Sequence, residues 1–165
     1  MNHVKNINNY LNSLSAPMFI FLMTIITYIV YIPFIPLIKL FLDKVGPMGG
    51  PSAINSLPPA GIFIVVVIVA PLLETFLFQL MPIKILQWIP ALKSRKYIVI
   101  LVSAALFAST HSYSMLYIFY TFIIGILLAY SFCVYENKKS SAFMVVVLIH
   151  ALRNAVSFLL SNVIA

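Results

Sequence analysis

Acidic residues are almost missing from this chain of 165 residues: Asp43, Glu74 and Glu136 stand against ten lysines and arginines. Charge of either sign is scarce, at 8% of residues, where soluble domains carry roughly 25%. Cysteine is represented by Cys133 alone, which excludes an internal disulfide and leaves the redox compartment unmarked. Glycine is nearly confined to one place, with four of five between residues 46 and 61. What fills the chain instead is apolar: 63% of residues are hydrophobic and the mean hydropathy is +1.10. Thirteen charges cannot cover that much apolar surface in water. A soluble enzyme, a nucleic-acid binder and a disordered chain are excluded, and the lipid bilayer becomes the expected solvent.

A bilayer core needs about 20 mostly apolar residues per helix. Five such runs are predicted, at 16–38, 61–82, 97–112, 115–135 and 142–162, so the fold class is an all-α, polytopic transmembrane bundle. The first run lacks a basic leader and a small-residue cleavage site, so it reads as a permanent helix rather than a signal peptide. Pro33 and Pro36 predict a kink near its end. The third run is short and is expected to end inside the membrane plane. Residues 46–61, GPMGGPSAINSLPPAG, read as a connector or as a lid over a site between helices. Two segments follow: 1–59, with the N-terminal tail, first helix and this loop, and 60–165, the core.

The basic residues set the expected direction. The N-terminal tail and the stretches 83–96 and 136–141 carry Lys5, Lys84, Lys93, Arg95, Lys96, Lys138 and Lys139. The opposite side carries Lys39 and Lys44. This imbalance predicts a multi-pass protein of the cell membrane with a cytoplasmic N-terminus and an external C-terminus. Trp88, Tyr97 and Tyr135 are the expected interface anchors.

Ionisable groups within a span are costly and turn toward a bundle interior. Four do so here, Glu74, His111, His150 and Arg153, joined by the amide of Asn154. At about 1.5 Å per residue, counted from the nearest basic marker, Glu74 lies roughly 15 Å deep, His150 roughly 16 Å, and His111 and Asn154 roughly 22 Å. All four fall near mid-membrane, and His150 and Asn154, at i and i+4, share a helix face. A carboxylate and an imidazole can hold and deprotonate a water. A second imidazole and an amide can donate to a developing oxyanion. Ser109 and Ser112 flank His111, but nothing marks either as activated. Two histidines and a glutamate could also ligate zinc. There is no HExxH, and the expectation is no cofactor. Taken singly, each residue could be polar glue between helices, or Glu74 could pair with Arg153. A proton or ion relay is a further use of the same groups, disfavoured by the lack of an internal repeat.

Three segments in order, APLLETFLFQ at 70–79, FASTH at 107–111 and HALRN at 150–154, resemble the EExxxR, FxxxH and HxxxN motifs of the CAAX protease and bacteriocin-processing (CPBP, or Abi) intramembrane proteases. The resemblance implies a glutamate-dependent helical-bundle endopeptidase acting on a membrane peptide or protein, without nucleic acid. It places the water-activating pair on Glu74 and His111 and the oxyanion pair on His150 and Asn154. Two positions depart: Thr75 stands for the second Glu and Gln79 for the Arg. These departures keep a second reading open, a non-catalytic member acting as a bacteriocin-immunity or membrane-binding protein. Arg153 then becomes an auxiliary candidate, as a substitute for the lost positive charge that would hold Glu74 ionised or bind a substrate carboxylate. The alternative for it is snorkelling to the outer surface.

Overall fold

The structure is a computed structural model; it describes residues 2–45, 54 and 56–164. Among these there is no strand. The helices are α1 (Asn2–Ser13), α2 (Ala16–Tyr31), α3 (Phe34–Val45), α4 (Pro59–Gln87), α5 (Pro90–Lys93), α6 (Lys96–Ser109), α7 (Met115–Tyr135) and α8 (Ala142–Ile164). Four stretches are long and apolar enough to cross a membrane: Ala16–Ile38, Pro59–Gln87, Met115–Tyr135 and Ala142–Ser161. The short apolar helix Lys96–Ser109 is the fifth of the expected runs.

The kink expected at Pro33 is present. The helix breaks after Tyr31 and resumes at Phe34, since Pro33 has no N–H to donate. One segment read as a tail is helical: α1 is polar overall but buries Leu11 and is tied down by side chains from α7. The glycine- and proline-rich loop, residues 46–53 and 55 of it, lies outside the described residues.

The antiparallel pair α6 and α7 packs closest. A Cβ on Gly125 would stand 2.9 Å from Ala104 Cα and 3.1 Å from its carbonyl oxygen. In lipid no hydrophobic force separates helix from solvent, so small residues that let backbones approach are what hold such a pair. α8 packs against α7, α2 and α4, and the core between them includes Phe19, Met23, Phe107, Leu128, Val146 and Ile149.

α4 shows how the bundle sorts its residues. Its inward positions are Pro71, Thr75, Gln79 and Ile83, spaced four apart and all buried. Leu72, Leu73, Phe76 and Leu77 face outward. The apolar side chains go to lipid and the polar ones to protein, the reverse of a helix in water. Trp88 and Tyr97 are exposed at the ends of α4 and α6, as interface anchors are. Tyr135 is not an anchor. It is buried, its ring packs on Phe19 at 4.7 Å, and its hydroxyl donates to Leu14 O at 3.1 Å.

Candidate active site

Two prolines decide the shape of α4. Pro71 and Pro82 each follow a stretch of widened, π-helical turn, Ile64–Val69 and Thr75–Leu80. A proline ring clashes with the carbonyl four residues back, and widening the turn relieves the clash. The N–H of Ala70 bonds to Val65 O, five residues back, and that of Met81 to Phe76 O. Continuing that register, Val66 O would be met by the nitrogen of residue 71, which as proline has no N–H. Phe78 O, four residues before Pro82, loses its α-helical donor for the same reason. Both carbonyls are satisfied from neighbouring helices. Asn154 Nδ2 on α8 donates to Val66 O at 2.9 Å, and Ser103 Oγ on α6 donates to Phe78 O at 2.5 Å. Glu74 sits between the two widened turns.

The histidine expected near the end of the third span lies just beyond it. α6 stops at Ser109, and His111 occupies the turn before α7, its N–H bonding back to Ala108 O at 3.0 Å. This corrects the expected run 97–112, which ends as a helix at Ser109. The short helix brings the turn to the depth of Glu74 instead of to the far surface. His111 Nδ1 lies 2.8 Å from Phe107 O. A carbonyl only accepts, so Nδ1 carries the hydrogen and, in the neutral ring, Nε2 carries the lone pair. The Phe107 ring lies 4.5 Å from the His111 ring and 5.7 Å from that of His150. The backbone carbonyl at position 107 thus sets the His111 tautomer, while the Phe107 ring packs on both imidazoles, a role that the motif alone did not indicate.

The structure brings Glu74, His111 and His150 together. Glu74 Oε2 is 3.7 Å from His150 Nε2 and 3.9 Å from His111 Nε2. His150 is buried and its Nδ1 has no hydrogen-bond partner. Asn154 stands one turn further along α8, with Oδ1 accepting from Arg153 Nη1 at 3.0 Å. Among the described residues, no group of three His, Cys, Asp or Glu side chains is arranged to hold a metal ion.

Arg153 does not reach Glu74 within ion-pair distance; among the described residues the groups facing the carboxylate within 4 Å are the two imidazole nitrogens. The guanidinium turns inward to Tyr120, donating to its hydroxyl and standing 5.4 Å from its ring centre. Its backbone carbonyl accepts from Tyr28 Oη. A partly buried guanidinium can take an aromatic face and an amide oxygen in place of an acid. Sequence reasoning missed Tyr120 and Tyr28, and apolar runs rich in tyrosine carry no local signal for which ring turns inward. Thr75 and Gln79 are fully buried beside the site, and Thr75 Oγ1, Gln79 Oε1 and Gln79 Nε2 have no hydrogen-bond partner.

A bundle of membrane-crossing helices with a carboxylate and two imidazoles turned onto one another inside it defines a multi-pass membrane protein with an enclosed polar site. The family model described as type II CAAX prenyl endopeptidase Rce1-like matches residues 56–156, and the chain belongs to that family of membrane-embedded proteases. The match covers Glu74, His111, His150 and Asn154. No curated protein and no solved structure matches the chain.

Proposed function

We propose that this chain is an intramembrane endopeptidase that hydrolyses a peptide bond of a membrane-associated protein or peptide. The observation that carries the reading is a pair of hydrogen-bond acceptors: Glu74 Oε2 and the lone-pair nitrogen of His111, 3.9 Å apart. Two acceptors at that spacing repel unless a donor lies between them, and a water can donate one hydrogen to each. So held, its oxygen lone pair is left to attack. The water oxygen bonds to the substrate carbonyl carbon while its proton passes to Glu74, supported by His111. The carbonyl electrons move onto oxygen, where His150 Nε2–H and the second hydrogen of Asn154 Nδ2 donate to the oxyanion. The carbon–nitrogen bond then breaks as the proton is handed to the leaving nitrogen.

Arg153 is a positioning residue in this scheme. By donating to Asn154 Oδ1 it fixes which end of the amide faces α4. It also supplies a positive charge near the site where Gln79 does not. No metal or cofactor enters the mechanism. A chelator is expected to leave activity intact, and loss with recovery on added zinc would overturn that part. A second reading, a non-catalytic binding member, is favoured by the unpartnered Thr75 and Gln79 at two motif positions. Product mass spectrometry on membrane peptides separates the two. New termini with the wild-type chain and none with Glu74→Gln support the protease; no cleavage by either supports the binder.

A further inference from the structure

Away from the site, at the basic end of the bundle, a cleft of 330 Å³ opens between α1, α6 and α7. Lys96 and Lys138 line it beside Asn12, Ile100 and Val134 line it one turn along their helices, and Asn8 meets Tyr130 a further turn along α7. Both helices make this step from lysine to aliphatic side chain in register. On α6, Lys96 begins the helix and Ile100 follows one turn deeper. On α7, which runs the opposite way, Val134 comes before the end of the helix and Lys138 after it. The exposed rings of Trp88 and Tyr97 mark that end as the depth of the lipid headgroups. The cleft is therefore cationic where phosphates lie, with the aliphatic side chains of Ile100 and Val134 one turn deeper.

Charge pairing leaves its positive side open. The one acid on this face, Glu136, is engaged by Lys84 Nζ at 2.6 Å and Gln87 Nε2 at 2.8 Å. Lys96 enters no hydrogen bond or ion pair among the described residues. Lys138 donates to Asn12 O at 2.9 Å and lies over the Tyr135 ring at 4.0 Å, so it is held at the mouth of the cleft without a counter-charge. α1 forms the roof, tied by Tyr130 Oη donating to Asn8 Oδ1 at 2.9 Å.

The geometry points to a binding site for one anionic phospholipid, its phosphate between Lys96 and Lys138 and its first acyl carbons along Ile100 and Val134. Basic pockets between transmembrane helices hold such headgroups, and a lysine near the surface contributes about a five-fold factor in affinity. The bound lipid would join α1 to the α6–α7 pair, which carries His111 in its connecting turn.

Native mass spectrometry of the full chain in micelles doped with phosphatidylglycerol or phosphatidylcholine tests this. One phosphatidylglycerol is expected to stay bound at lipid levels where phosphatidylcholine is lost. Lys96→Gln is the clean variant, because Lys96 holds nothing else in place. It should bind phosphatidylglycerol about five-fold more weakly, Lys96→Arg should restore binding, and Lys93→Gln, outside the cleft, should leave it unchanged. An unchanged melting temperature without lipid confirms that Lys96→Gln is folded; Lys138→Gln gives the same readout from the other wall. Equal retention of the two lipids overturns the proposal, as does a Lys96→Gln chain that binds like wild type. Saturation by glycerol 3-phosphate, which has no acyl chain, would also overturn it.

Discussion

Two of the three acids of this protein can be compared directly, and they live by opposite rules. Glu136, at the basic end of the bundle, is paired at 2.6 Å with Lys84 and accepts from Gln87. Glu74, in the middle of the membrane-crossing region, has two imidazole nitrogens at 3.7 and 3.9 Å. The first carboxylate is held by a donor on each of its two oxygens. The second is placed where water is scarce, and its neighbours stand just too far away to satisfy it directly. The charge at the headgroup level is locked, and the one in the membrane-crossing region is left with room for a reactant. That difference separates a fastening from a reactive group more sharply than either residue type does.

Removing the second carboxylate is expected to have the largest effect. Glu74→Gln keeps the shape and should lower peptide cleavage by about 10²–10⁴-fold. Melting in detergent should stay near wild type, since no short bond is lost. A Glu74→Gln chain that cleaves at the wild-type rate would end the assignment.

Asn154→Leu comes next, because it strikes both chemistry and scaffold. Loss of an oxyanion donor should cost about 10²–10³-fold in rate. The stranded Val66 carbonyl should lower stability by about 1–3 kcal/mol. Full turnover in a chain with a lowered melting temperature would leave Asn154 as a fastener only.

Ser103→Ala isolates the scaffold term. It frees the other proline-orphaned carbonyl, on Phe78, at a similar cost of about 1–3 kcal/mol, without touching the reacting groups. Turnover well below the melting temperature should be unchanged; a drop of ten-fold or more would show that the two parts are not separable.

The smallest effect is expected from Glu136→Gln. Lys84 is half exposed, the Glu136 side chain is 10% exposed, and glutamine keeps one carbonyl acceptor for the pair, so the loss is about 1 kcal/mol. The expected result is a slight fall in melting temperature with full activity.

The helical class and the residues that converge were legible in the sequence for one physical reason. Polar groups are so unfavourable in lipid that each of Glu74, His111, His150 and Asn154 stood out against its apolar run. The depth count placed them in one slab because helix rise is nearly constant. The count assumed ideal turns, however, and so missed the two widened ones, although Pro71 and Pro82 were visible as their cause. It also set His111 on a helix rather than in the turn after it, because an apolar run does not show where backbone bonding stops. Arg153 reads in the sequence either as a charge at the edge of the site or as a side chain snorkelling to the outer surface. The Tyr120 ring and the Asn154 amide satisfy it instead, and neither pairing has a fixed sequence distance. Tyr135 was read from its position at a span end, which says how deep a ring lies and nothing about which way it faces.

The two proline-orphaned carbonyls of α4 also bear on how the chain is made. α4 leaves the ribosome before α6 and α8, whose Ser103 and Asn154 donate to those carbonyls. A backbone carbonyl without a donor is strongly disfavoured in hydrocarbon. Inserted alone, α4 lacks these two donors. It becomes a settled membrane segment when its later neighbours dock. The bond from Asn154 to Val66 O is then both a tie between α8 and α4 and the end of this waiting state at one of the two depths.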